Sequence, residues 1–237
     1  MYVEYFKKNN EYDLVYCSDI DGLLSKMGIR TNMKDDWWMF IDGSVQSIKA
    51  VLLHRDNKFP AIPIAYSRKA KESYETLRCI LNLVRYEEFL WKICADLKVT
   101  GILTGMQGGY TKFPCFLCLW DSRDREHHYN KDEWPLRNTR APGEKNIKYE
   151  PLVPAQKIVL PPLHVKLGIF KNFVKSLKKD GEPVKILTEI FPRLSKAKLA
   201  EGVFVGPDLR KVNAFRIPCL HQNFELGKPL KEPWKIS

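Results

Sequence analysis

The order of extended and helical patterns between residues 37 and 98 restricts most strongly what this chain can fold into. Three strand-like apolar segments follow one another: WWMFID from Trp37, SVQSIKAVLLHR from Ser44 and FPAIPIAYS from Phe59. The polar stretch RDNK, residues 55–58, separates the second from the third. Two prolines place the third segment at a sheet edge or at an irregularity. The pattern predicts an antiparallel meander of three strands.

Helical periodicity follows the meander. Apolar residues in KAKESYETLRCILNLVRYEEFLW recur on one helix face, and Ser67 is the predicted N-cap. WKICADLK predicts a short strand, and VTGILTGMQGG predicts a second helix that Gly108 and Gly109 end. Three antiparallel strands, a helix and a parallel strand follow the order of the ribonuclease H fold. We therefore expect an α/β protein, with a ribonuclease H-like mixed sheet and flanking helices.

Two acidic residues end the first and fourth predicted strands, Asp42 in WWMFID and Asp96 in WKICAD. In the expected fold these strands lie side by side, so the two carboxylates would occupy neighbouring positions. Close carboxylates need a cation, and hard oxygen ligands suit Mg²⁺ or Mn²⁺. Such a site can support in-line attack at phosphorus. Taken singly, either aspartate is also typical of a turn or a helix cap.

A Cys-x-x-Cys pair, Cys115 and Cys118, lies downstream of these acids, followed by His127 and His128 and later by His164. The two cysteines and two of the three histidines would complete a tetrahedral zinc site, which is the favoured interpretation. The apolar setting FPCFLCLW is also typical of buried structural cysteines. A redox pair is a third alternative, although it needs an accessible, stabilised thiolate.

The polar stretch after the cysteines predicts a long surface loop. Its arginines are interpreted as a solvated face, with phosphate contact as the alternative. They are Arg123, Arg125, Arg137 and Arg140.

Positive charge dominates the chain, which has 237 residues and a formal net charge of +11. Residues 165–211 hold eleven Lys or Arg against five Asp or Glu. This balance favours a polyanionic partner, most often nucleic acid. VKLGIFKNFVKSLKK predicts an amphipathic helix with its lysines facing water or DNA, and LSKAKLAEGVF predicts a short helix between Ser195 and Gly202.

Compartment and membrane signals are consistent with an intracellular protein. The six cysteines are sparse and irregularly spaced, which favours reduced thiols in the cytosol or nucleus. The N-terminal residues lack a secretory signal pattern, and no apolar run is long enough for a transmembrane helix. We expect no membrane partner.

Longer segments carry a more specific signal than any of these motifs. WWMFIDGSVQSIKAVLLHRDNKFPAIPIAYSRKAKESYETL, WKICADLKVTGILTGMQGGYTKFPCFLCLWDSR, LVPAQKIVLPPLHVKLGIFKNFVK and FPRLSKAKLAEGVFVGPDLRK resemble a family of transposon-derived animal proteins. The likeness covers most of residues 12–211. It implies a DDE transposase-like protein of the nucleus that acts on DNA.

The resemblance assigns roles to particular positions. It implies that Asp42 and Asp96 are the first two acids of a catalytic triad, and that Cys115, Cys118 and His164 follow the Cys/His pattern of several transposases. It implies Mg²⁺- or Mn²⁺-dependent DNA strand cleavage and transfer as the ancestral activity.

The chain also departs from that family. Glu189, Glu201 and Glu225 match no third acid, and Gly43-Ser44-Val45 stands where a Ser-Ser-Lys type sequence is expected. We therefore expect a C-terminally truncated, catalytically inactive chain. A non-catalytic module that binds zinc and nucleic acid is the alternative.

Four regions are predicted on these grounds. They are an N-terminal flank (1–36), a ribonuclease H-like core (37–112), a Cys/His-containing insert (113–164) and a basic helical segment (165–237).

Overall fold

The chain divides into two compact units, Met1–Pro161 and Pro162–Ser237. The structure is a computed structural model that describes residues 2–29, 34–128, 130–177 and 181–214. Each unit is described by itself below.

A seven-stranded mixed sheet forms the first unit. Its strand order is β1-β2-β5-β4-β3-β6-β7, antiparallel from β1 to β3, with β6 and β7 parallel to β3. The α/β class with a mixed sheet and flanking helices is therefore confirmed, as are the three strands of the meander. The strands are β1 Phe6–Asn9, β2 Leu14–Cys17, β3 Trp37–Gly43, β4 Ile48–His54, β5 Ile62–Ser67, β6 Lys92–Ala95 and β7 Ile158–Val159.

Four α-helices accompany this sheet in the described residues: α1 Ile20–Lys26, α2 Tyr74–Leu83, α3 Tyr86–Phe89 and α4 Leu97–Leu103. Short 3-10 helices lie at Val3–Tyr5, Lys34–Asp36 and Ala155–Lys157. The strand β6 and the helix α4 lie where WKICADLK and VTGILTGMQGG predict them.

The start of α2 corrects the predicted cap. Ser73 is the N-cap, and its hydroxyl accepts a hydrogen bond from the Thr76 amide at 3.1 Å. Ser67 is still the last residue of β5, and its hydroxyl donates to the Tyr12 carbonyl at 2.8 Å. The prediction was wrong because Ser67 holds β5 to the neighbouring hairpin, and a six-residue connection separates it from the helix.

The end of α4 also differs from the prediction. The helix stops at Leu103, before Gly108 and Gly109, because Gly105 takes a left-handed conformation with φ +73°. A Cβ at this position would collide with the Tyr149 carbonyl. Glycine is therefore needed here both for its conformation and for the close approach of another backbone segment.

Alternation along the strands gives the sheet two different faces. In β3, Trp37, Met39 and Ile41 are buried in the main core with residues of α1, α2 and α4. Trp38 and Phe40 lie on the opposite face, where they are only half-buried. We call this the second face of the sheet. It also carries Asp42, so the acid pair lies outside the main core.

The N-terminal residues extend the sheet beyond the meander. Residues 1–36, treated above as a flank, contribute the hairpin β1–β2 and the helix α1. The hairpin joins β5 through antiparallel pairs between β2 and β5. Asp19 caps α1 by accepting from the Gly22 amide at 2.9 Å.

The second unit is helical in its described residues and has its own apolar core. Its helices are α5 Pro162–Ser176, α6 Glu182–Ile190, α7 Lys196–Ala200 and α8 Gly206–Ala214. The core residues are Val174, Leu187, Phe191, Leu199 and Phe204. The predicted amphipathic helix and the short helix after the Ser195 cap are confirmed. No helix within the described ranges is long and apolar enough to cross a membrane.

Candidate functional site

Asp42 and Asp96 lie at neighbouring positions at one end of the sheet. The strands β3 and β6 pair in parallel, and the last residues in register are Ile41 and Ala95. The two aspartates come directly after this pair, one on each strand. Their proximity follows from the parallel register, because parallel strands end at the same edge of a sheet.

Each of these carboxylates already has a partner. Asp42 Oδ2 lies 2.8 Å from Lys49 Nζ on the adjacent strand β4, opposite Asp42 in the register. Asp96 is the N-cap of α4, and its Oδ1 accepts a hydrogen bond from the Val99 amide at 2.7 Å. One aspartate therefore has a lysine as counterion, and the other satisfies a helix terminus.

A third carboxylate, Glu72, lies at the same end of the sheet and escaped the sequence analysis. Its side chain is only 4% exposed and forms an ion pair with Lys98 of α4. It also fills the space where a Cβ of residue 43 would lie, so it packs against Gly43, next to Asp42. The hydrogen bond to Glu72 is the largest cause of the raised pKa of Lys98.

Glu72 was missed because KAKES resembles an ordinary polar connection between a strand and a helix. The usable signal was its position directly before the Ser73 cap. A residue directly before that cap lies in the connection between β5 and α2, which passes the end of the sheet that carries Asp42.

The acidic edge, which we define as Asp42, Glu72 and Asp96, is thus accompanied by Lys49 and Lys98. No group of three or more His, Cys, Asp or Glu side chains in the described residues is arranged to hold a metal ion. A two-metal catalytic site needs several oxygen ligands converging on the ions. At the acidic edge, Asp42 and Glu72 form ion pairs with lysines, and Asp96 caps α4 through one carboxylate oxygen.

The Cys-x-x-Cys pair lies in the long irregular segment after α4, residues 104–128 and 130–154. We use the word insert for this segment from here on, in place of the predicted range 113–164. Cys115 Sγ accepts from the Leu117 amide at 3.4 Å, and Cys118 forms an isolated antiparallel bridge with Leu136. Burial, followed by a hydrogen bond with Cys115, raises the pKa of Cys118. A raised pKa favours the neutral thiol and opposes redox chemistry through a stabilised thiolate.

The three histidines proposed as zinc ligands have other surroundings. His127 Nδ1 lies 2.7 Å from the Asp124 carboxylate. His128 Nε2 lies 2.8 Å from the Asp121 carbonyl, and its ring stacks on Trp120. His164 is an exposed residue of α5 in the second unit. Around the cysteines, the described residues of the first unit do not assemble four zinc ligands.

Arg137 holds the insert together instead, and its position corrects the interpretation of a solvated face. Arg137 is only 3% exposed. Burial lowers the pKa of its guanidinium. The guanidinium donates to the carbonyls of Phe113, Cys115 and Lys145 at 2.8–3.1 Å. Buried carbonyls of irregular backbone need hydrogen-bond donors, and Arg137 supplies them. A count of charges along the sequence does not reveal this role.

The fold and the site together define a mixed α/β domain with an acidic edge beside its two central strands, followed by a separate helical unit. The chain belongs to the family described as Domain of unknown function (DUF8703), whose model matches residues 1–153. Residues 162–216 match a second model, described as Domain of unknown function (DUF8704). A comparison with curated proteins found no match. The two matches meet near the boundary between the compact units.

Proposed function

We propose that this chain is a DDE transposase-like protein, derived from a DNA transposon, that binds DNA without cleaving it. One observation carries the proposal: parallel pairing of β3 and β6 brings Asp42 and Asp96 to neighbouring positions. This is the arrangement expected for the first two acids of such a protein. Nuclear localisation is part of the same proposal.

The sheet order supports a ribonuclease H-like core. The segment β5-β4-β3-β6-β7 has three antiparallel strands in meander order, followed by two parallel ones beside the first. Helices α2 and α3 lie between β5 and β6 along the chain, and this helical crossover brings β6 to the side of β3, with which it pairs in parallel. The hairpin β1–β2 is then an addition at the far edge of that core.

The lysines of the acidic edge support the absence of catalysis. Lys49 and Lys98 neutralise two carboxylates that would otherwise need a cation. Of the later glutamates, Glu189 is exposed on α6, Glu201 pairs with Lys175, and Glu225 lies outside the described residues. Mg²⁺-dependent strand cleavage is therefore proposed as the ancestral activity alone.

The charge of the second unit supports DNA as the partner. The lysines of α5 within the described residues are exposed, and more cations follow on α6, α7 and α8. DNA phosphates attract such surfaces through release of counterions. Affinity for duplex DNA should fall steeply with salt concentration, and a flat salt response would contradict this part of the proposal.

A nicking assay tests the catalytic part. Purified chain is incubated with supercoiled plasmid and a mixture of short single- and double-stranded DNA, with Mg²⁺ or with Mn²⁺. We expect no cleavage above that of Asp42→Asn. Cleavage that Asp42→Asn abolishes would refute the catalytic silence while supporting the transposase-like origin.

The alternative function is a non-catalytic module that binds zinc and nucleic acid. The influence of Cys115 on the raised pKa of Cys118 favours it, because two potential ligands then lie near each other. Metal analysis of protein purified without chelator is the test. About one zinc per chain, lost in Cys115→Ser, would support the module, and zinc-free protein would eliminate it.

A further inference from the structure

A row of side chains crosses the second face of the sheet and ends at the acidic edge. Lys8 pairs with Val15, and Val15 pairs with Tyr66. Tyr66 pairs with Lys49, and Lys49 pairs with Asp42. Residues directly opposite each other on paired strands project to the same face. We call these five residues the cross-strand row.

The row is long enough to follow an extended polymer. It covers five adjacent strands, which are spaced by about 4.8 Å, so it measures about 19 Å from end to end. Every member is accessible: Val15 is 41% and Tyr66 46% exposed. The Lys8, Lys49 and Asp42 side chains are 56%, 50% and 46% exposed.

Tyr66 is the unusual member of the row. A tyrosine on a strand normally buries its ring against neighbours, whereas this ring lies open between the lysine of β4 and the valine of β2. An exposed aromatic ring with cations nearby is the arrangement on which proteins stack bases of single-stranded nucleic acids. The lysines are placed to meet phosphates on either side of such a base.

Further cations lie beside the row. Exposed Arg68, Lys69 and Lys71 follow β5 directly, in the connection that leads to Glu72 at the acidic edge. Asp13 pairs with Lys8 at 2.5 Å and with Lys69 at 3.5 Å, so it offsets part of this charge. The row and this connection together hold five cations and one exposed acid, Asp42, and Asp13 lies beside them. The surface therefore has a net positive charge.

We propose that the cross-strand row binds single-stranded DNA, with a base stacked on Tyr66 and phosphates near Lys8 and Lys49. The strand runs across the hairpin β1–β2 toward the acidic edge. This inference rests on the proposed function, because it takes DNA as the polyanion. Duplex DNA fits less well, because its bases are stacked on one another and present no free face to the ring.

The binding test measures fluorescence anisotropy of the full chain with a labelled oligothymidine of about 12 nucleotides, within the site sizes of comparable surfaces. Tyr66→Ala is expected to weaken binding about tenfold, and Tyr66→Phe to retain it. Tyr110→Ala is the matched control, since Tyr110 is fully exposed but lies in the insert. Tyr66→Thr keeps a strand-forming residue if the alanine variant is unstable.

Two further measurements complete the design. Lys8→Ala should reduce the slope of log affinity against log salt by about 0.7, the value for one phosphate of a single strand. Photo-crosslinking with a bromouracil oligonucleotide should label a peptide that contains Tyr66. Labels confined to residues 162–214 would overturn the row as the binding surface.

The outcomes separate this inference from the proposed function. Binding that is equal in wild type, Tyr66→Ala and Tyr110→Ala overturns the row and leaves the DNA-binding proposal standing. Absence of any DNA binding at low salt overturns both. A duplex, or an oligouridine of the same length, that loses as much affinity in Tyr66→Ala as the oligothymidine does would overturn the assignment to single-stranded DNA.

Discussion

Replacement of Arg137 by alanine should loosen the insert without unfolding the sheet. The guanidinium makes four hydrogen bonds at 2.8–3.1 Å to three carbonyls of residues 113, 115 and 145. Hydrogen bonds to charged groups contribute about 1.5–3 kcal/mol each. Water that enters the vacated space restores part of the lost hydrogen-bonding free energy of the carbonyls. The free-energy cost of burying the guanidinium charge also disappears. We expect a net loss of about 3 kcal/mol in the local stability of the insert.

Amide hydrogen exchange followed by mass spectrometry measures this loss directly. Two amides report on the insert: Leu119 donates to the Pro135 carbonyl, and Arg137 donates to the Leu117 carbonyl. A loss of about 3 kcal/mol accelerates their exchange about 150-fold if they open locally. Peptides from β3 and β4 should exchange as in wild type.

Arg140→Ala is the matched control, because Arg140 donates one hydrogen bond to the Phe116 carbonyl at 3.2 Å. Its effect should stay near 1 kcal/mol, or about fivefold. Arg137→Lys should behave like the alanine variant, since an ammonium cannot reproduce the planar fork. Unchanged exchange in Arg137→Ala, together with faster exchange of the wild type in chelator, would refute this reasoning and assign the insert to a bound metal.

Three further predictions address backbone, cap and titration. Gly105→Ala should lower the free energy of unfolding in urea by more than about 1 kcal/mol, because residue 105 has a positive φ and faces the Tyr149 carbonyl. Gly108→Ala should have a smaller effect, and equal effects of the two substitutions would contradict this reasoning. Ser73→Ala should cost about 1 kcal/mol in the same assay through loss of the α2 cap, and an unchanged midpoint would count against the cap. Burial raises the pKa of Cys17 from 9.0 to about 11, so the folded form keeps a proton that the unfolded form loses. Stability from this group is complete below pH 9 and declines toward pH 11, by at most about 1.4 kcal/mol per pH unit; Cys17→Ala should have a shallower decline over that range, and identical slopes would refute it.

Some features could be predicted from local patterns because they depend on local physics. The strands β3, β4 and β5 follow from β-branched and apolar runs, and the helix at Ser195 follows from its cap. The parallel position of β6 was predicted from the order of elements, in which a helix separates the meander from the next strand. The same rules predict that Asp42 and Asp96 lie at neighbouring positions.

Other features depend on contacts between distant segments and leave little local trace. Glu72 lies in a polar connection, and its burial becomes visible only when Gly43 and Lys98 are seen to surround it. Arg137 is surrounded by polar residues in sequence, yet it satisfies carbonyls more than twenty residues away. The strands β1 and β2 are short and carry lysines, so their local strand signal is weak. Pairing with β5 stabilises them as strands despite that weak signal.

Gly43 and Glu72 lie far apart in the sequence but share one volume at the edge of the sheet. A side chain at position 43 would occupy the volume that Glu72 now fills, so a serine there would have to expel Glu72 from the edge of the sheet. Lys98 would then lose its ion-pair partner and turn toward Asp96, whose charge already contributes to its raised pKa. The glycine and the buried glutamate are thus interdependent, and a change at either position alone would leave a hole or a clash. A larger side chain at position 43 would therefore call for a second substitution at position 72.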